Sequence, residues 1–158
     1  MRARSLIPLL LALSLWLLPA AAADASTGPC FAGARGARCH FQTAKVVAVK
    51  DGDTVDVDLD GDHSRRIHSI RFRAVQAMEL HRYGRRSQWR GECHAVAAAK
   101  RVDDLIRAAH RRVRLSTQFA ASDRKGRLLR WIAVRQHGRW QDLGEILMRE
   151  GHTLWMDN

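Results

Sequence analysis

The chain has 158 residues, and 27 Lys and Arg against 16 Asp and Glu give a formal net charge of +11. Once an N-terminal leader is set aside, about 135 residues remain, enough for one core, which excludes two separately folded domains. Twenty-three of the 27 bases are Arg, whose flat fork of donors suits phosphate oxygens, although charge alone does not separate a polyphosphate partner from a solvated surface.

Arg2 and Arg4 precede an apolar run from Leu6 to Leu18, and small residues with A-x-A patterns end at Ala23 or Ala25. This is the layout of a secretory signal peptide over residues 1–23. The run is short for a membrane span and Pro19 closes it, so the expectation is a secreted protein with no stable membrane association after cleavage. Cys30 and Cys39 bracket FAGARGAR, too small and Gly-rich a segment to pack by itself. In an oxidising compartment a disulfide closing it would contribute roughly 3 kcal/mol. Cys93 is a third cysteine, and with three the pairing cannot be assigned from sequence. Zinc is a poor rival, because Cys30-x8-Cys39-His40 is not a usual ligand spacing. Residues 24–42 thus read as a disulfide-bearing extension, and 43–158 as the folded domain.

Thr43–Val49 is apolar and β-branched, and Asp51-Gly52 is a hairpin dipeptide. From Val55 the alternation is strict, with Val55, Val57 and Leu59 on one face and Asp56, Asp58 and Asp60 on the other, which predicts a half-buried strand. Asp60-Gly61 turns again, and RRIHSIRFRAV (Arg65–Val75) alternates as a third strand. His81–Gly91 reads as a loop. The stretch ECHAVAAAKRVDDLIRAAH places Val96, Ala99, Val102, Leu105, Ile106 and Ala109 at helical spacing, with Glu92 expected in the first turn. Strands follow at Arg112–Gln118 and Arg127–Arg135, joined by the turn SDRKG. Asp142–Gly151 reads as a short helix ended by Gly151, and HTLW closes the ordered pattern. The order strand–strand–strand–helix–strand–strand–helix predicts an α+β fold: a five-stranded OB-fold β-barrel, with one helix after the third strand and a short one after the fifth.

Lys45–Asp62 holds six aspartates in eighteen residues. Asp56, Asp58, Asp60 and Gly61 match the start of an EF-hand loop, but the twelfth position is Ile67 instead of a bidentate Glu and strands flank it. The turn KDGDT is the better site. Asp53 enters the next strand in phase with Val55, Val57 and Leu59, so its carboxylate is aimed toward the apolar side, where a cation or donors must meet it.

DGDTV, the Arg-led strand RFRAV, Glu79, SDRKGR and GHTLW together resemble the thermonucleases, the staphylococcal-nuclease-like OB-fold family, over about Lys45 to Trp155. The resemblance implies a secreted nuclease that hydrolyses phosphodiester bonds of DNA or RNA. It implies that Asp51 and Asp53 hold calcium, that Arg71 binds the scissile phosphate, that Glu79 is general base toward water, and that Arg127 stabilises the transition state. Two guanidiniums and a divalent cation would neutralise charge growing on the equatorial oxygens. The family's second calcium carboxylate falls on Gln76, which offers only a neutral carbonyl oxygen, and the family's Pro and nucleotide-stacking aromatic fall on Met78 and Lys125. These departures keep open an alternative, a secreted OB-fold module that grips nucleic acid through its arginines without cutting it.

Overall fold

A computed structural model of the chain describes residues 27–31, 35–36, 38–81 and 90–156. The expected signal peptide and most of the expected loop at 81–91 lie outside the described residues. In chain order the strands are β1 (Thr27–Pro29), β2 (Arg38–Val49), β3 (Thr54–Leu59), β4 (Ile67–Phe72), β5 (Val75–Ala77), β6 (Leu80–His81) and β7 (Arg90–Gly91). Helix α1 (Ala95–Ala108) follows, then β8 (Arg112–Thr117), β9 (Leu128–Gln136), β10 (Arg139–Asp142), α2 (Leu143–Arg149) and β11 (Thr153–Trp155).

The first three long strands, β2, β3 and β4, form the antiparallel meander that their alternation and Asp-Gly turns predict. β2 also pairs with β8, β8 with β9, and β9 runs parallel to β4, so the five strands close on themselves. The result is a closed, mixed five-stranded β-barrel with two helices. β2 serves two neighbours because it is long: His40–Lys45 pairs with β8 and Ala44–Val49 with β3. The β3 ladder slips between Val46 and Ala48, leaving Val47 unpaired there. An extra residue of this kind bends its strand, which helps a short sheet to close.

Inside the barrel lie Val46, Val55, Val57, Ile70, Phe72, Val113, Leu115, Ile132 and Val134. α1 adds Val102, Leu105 and Ile106 to the same cluster, and α2 adds Leu143, Ile146 and Leu147. Truncating a filled position such as Ile106 to Ala costs about 2–5 kcal/mol by loss of transfer energy and opening of a cavity. Asp56 on the wetter face of β3 and Asp60 just past its end both find partners. Asp56 pairs with Lys50 at 3.1 Å, and Asp60 with Arg112 and Thr43.

Three boundaries depart from the sequence reading. β2 starts at Arg38 instead of Thr43, because β1 pairs with its first residues and the Cys30–Cys39 disulfide ties the two together; Cys93 is a free, exposed thiol. α1 starts at Ala95, so Glu92 is not in its first turn. His94 caps the helix from a left-handed conformation (φ 63°), and the Glu92 carboxylate accepts instead from the backbone N–H of Glu79 at 3.1 Å. HTLW contains a strand, for β11 pairs with β5. α2 is capped by Asp142, whose Oδ1 accepts from Glu145 N at 2.9 Å. It ends at Gly151 (φ 75°), with His152 N donating to Leu147 O at 2.8 Å.

Candidate active site

The KDGDT turn joins β2 to β3. Lys50 N and Asp51 N both donate to Thr54 O, at 2.9 and 3.3 Å, and Asp53 N donates to Asp51 Oδ1 at 3.0 Å. Gly52 lets this turn press against its neighbours: a Cβ there would come within 2.7 Å of the Cβ atoms of both Ala77 and Ala98. Only glycine fits that approach. The turn is therefore seated between β5 and α1, and its two acids are aimed from a fixed frame.

Asp53 is 4% exposed, as its phase in the strand predicts, and it is met by both a cation and donors. Its Oδ2 accepts from Ala77 N at 2.7 Å and forms an ion pair with the Arg71 guanidinium, and its Oδ1 accepts from Thr54 Oγ1 at 3.0 Å. Arg71 stands directly across the ladder from Thr54 and is itself 6% exposed. Its second terminal nitrogen donates to Gln76 Oε1. Gln76 reaches Arg71 because the chain reverses at Ala74 (φ 62°) and returns as β5.

Arg127 approaches from the turn before β9. Asp123 holds it twice, accepting from its backbone N at 2.9 Å and from its Nε at 2.7 Å, while Nη1 donates to Thr54 Oγ1 at 3.1 Å. Thr54 thus connects Asp53 with Arg127. Burial would raise the Asp123 carboxyl, but the hydrogen bonds from Arg127 outweigh it and hold it below its ordinary range. Burial and the nearby Arg127 guanidinium both push the Arg71 pKa down, and Asp51, Glu79 and Asp123 oppose them. The field at Arg71 therefore records how the other groups are gathered around it.

The structure brings Asp51, Asp53, Arg71, Gln76 and Arg127 into one constellation at one end of β3 and β4. Glu79 is exposed just beyond β5, close enough to act on the charge of Arg71. Its backbone is fixed by reciprocal bonds with Glu92, each 3.1 Å. Among the described residues, no three His, Cys, Asp or Glu side chains gather into a metal-binding group. The oxygens at the turn, from Asp51, Asp53, Thr54 and Gln76, are hard donors of the type calcium takes, and two of these residues already serve Arg71.

Three contributors escaped the sequence reading: Thr54, Asp123 and Glu92. Asp123 carried a signal, since an Asp opening a turn commonly binds the backbone two residues on, and Lys125 N does donate to it at 2.9 Å. Thr54 and Glu92 act across the fold and carried none. No protein-family model matches the sequence, and a search of curated proteins finds no match.

Proposed function

We propose that this chain is a secreted, divalent-metal-dependent nuclease of the staphylococcal-nuclease-like OB-fold type, hydrolysing phosphodiester bonds of DNA or RNA. The observation that carries this reading is the pairing of Arg71 and Arg127. Two guanidiniums, the second near enough to add to the effect of burial in lowering the Arg71 pKa, are held in place by Asp53, Thr54, Gln76 and Asp123. Like charges fixed side by side suit an anion that accepts from both, and a phosphodiester offers two non-bridging oxygens.

In this reading Arg71 and Arg127 donate to those oxygens and stabilise the charge that grows there as water attacks phosphorus. Glu79, exposed at the rim, takes the proton from that water, while the phosphorus–oxygen bond to the leaving alcohol breaks. Thr54 and Asp123 keep Arg127 in register with Arg71. Asp51 and Asp53, with Gln76 as a neutral third oxygen, are the residues that would hold calcium, which when bound supplies positive charge beside the phosphate.

A second reading follows from Gln76. It replaces a carboxylate in the ligand set and its oxygen accepts from Arg71, which favours a nucleic-acid-binding barrel with a degenerate metal site. Incubating plasmid with the protein, with calcium and then with chelator, separates the two. Calcium-dependent cutting that falls by a factor of about 10²–10⁴ in Glu79→Gln, with DNA retention intact, supports the nuclease. Retention without cutting, unchanged when Gln76→Asp restores the carboxylate, supports the binding module.

A further inference from the structure

We infer that the outer face of the barrel beside Arg71 carries a base-stacking subsite for single-stranded nucleic acid, walled by Phe31 and Trp131. The nature of the ligand rests on the reading proposed above; the architecture does not. The two rings meet at 4.8 Å between centroids with their planes tilted by 46°. Phe31 follows Cys30, so the disulfide to Cys39 on β2 fixes it against the barrel. Two clefts, of about 190 and 200 Å³, share this ring pair as a common wall. Sites for drug-sized ligands run to about 300–1,000 Å³, so each cleft suits a single ring system.

Arginine accompanies the aromatics in both clefts. Arg73 stands 5.9 Å from the Trp131 ring on one side. On the other, Arg114 stands 4.1 Å from Phe41 and 5.0 Å from Trp140. Aromatic platforms beside guanidiniums are how proteins hold single strands without reading their sequence, because every base has a stacking face and every nucleotide a phosphate.

The wall also adjoins the proposed site. β4 and β9 run parallel with Arg71 opposite Leu129 and Phe72 opposite Arg130, and Arg73 N continues the ladder to Arg130 O at 2.9 Å. Phe72 and Ile132 face the core, so Arg71, Arg73 and Trp131 share the outer face. Two strand residues, about 6.6 Å, separate Arg71 from Arg73. A strand with a phosphate at Arg71 meets Arg73 next, and the ring wall beside it. A duplex keeps its bases stacked on each other and has none to offer the wall, so the subsite selects single strands.

The test is fluorescence anisotropy on labelled DNA and RNA single strands of about ten nucleotides, within the 4–16 bound per barrel of this kind. A duplex of the same sequence is the control, with chelator present and at low salt. Trp131→Ala should weaken single-strand binding roughly 5- to 100-fold, the range for losing one stacked base. Trp131→Phe should restore most of it, and duplex affinity should barely move. Phe31→Ala, at a partly exposed ring, repeats the test without disturbing the barrel. Unchanged single-strand affinity in Trp131→Ala and Phe31→Ala, or an equal loss for duplex, overturns the subsite. Hydrolysis by the wild type in calcium is scored separately. If it cuts nothing while Trp131→Ala selectively loses single strands, the subsite stands and the nuclease reading falls; if it cuts while the affinities stay unchanged, the reverse holds.

Discussion

Asp53 and Arg71 are both almost fully buried, and each is the other's counter-ion. Burying either charge alone would be costly; together they form an ion pair, in which Ala77 N and Thr54 Oγ1 donate to the carboxylate and Gln76 Oε1 accepts from the guanidinium. The acid read from sequence as a metal ligand thus also fixes the guanidinium read as a phosphate ligand, so the two roles share one side chain. Removing Asp53 strands the buried Arg71 cation and the Ala77 N–H together. Asp53→Ala should lower stability by about 3–5 kcal/mol, the usual cost of breaking a buried pair from one side. Asp53→Ala with Arg71→Ala should recover much of that loss, because no uncompensated charge remains. Urea denaturation of the two single variants and the double variant measures the coupling. Additive losses would mean that the pair contributes no interaction energy, and the network argument would then fail.

Helix α2 shows the same economy at the level of an element. Asp142 caps it through Oδ1, yet the position is withdrawn beneath the aromatic wall. Burial, with the Glu145 charge adding to it, pushes the Asp142 pKa from 3.8 up to about 6, against the lowering effect of its hydrogen bonds from Glu145 and Gly144. An acid that binds its proton more tightly when folded contributes most to stability below about pH 4, and that contribution is lost as pH rises through about 6. Asn caps nearly as well and carries no charge. Asp142→Asn should therefore gain roughly 2–3 kcal/mol on wild type between pH 4 and pH 7. Melting temperatures at the two pH values test this, and parallel pH profiles would overturn it. Asp142 was legible as the start of a helix, and so were the meander and the interior of α1, since all three depend on periodicity along one stretch of chain. The parallel β4–β9 pairing, the doubled use of β2 and the β5–β11 ladder depend on partners distant in sequence, and periodicity does not reach them. The site divides in the same way. The phase of Asp53 was visible in its own strand, whereas the Arg71–Gln76 bond needs the reversal at Ala74, and the Phe31–Trp131 wall joins residues a hundred positions apart.

At the scale of the whole molecule the question is whether +11 acts as a diffuse cloud or as a site. Some bases are tied to neighbouring acids: Lys100 pairs with Asp104 at 2.5 Å and Arg101 with Glu150 at 2.6 Å on the surface, and Arg107 pairs with the buried Asp103 at 3.0 Å. Exposed pairs such as the first two contribute little to stability. Arg71, Arg73 and Arg127 share one end or face of the barrel, and in the proposed reading each phosphate they neutralise would release counterions. The logarithm of the single-strand binding constant should fall with the logarithm of salt at a slope of about −0.7 per contact, so three contacts predict roughly −2. Arg127→Ala and Lys100→Ala remove the same formal charge. Lys100 lies two residues from Ala98, which faces the Asp51 turn, so it points away from the site. Arg127→Ala should flatten the slope by about 0.7, while Lys100→Ala should leave it unchanged. Titrations of a labelled single strand across a range of salt, with chelator present to prevent cutting, give both slopes. If the two substitutions flatten the slope equally, the protein meets nucleic acid through its net charge and not through this face.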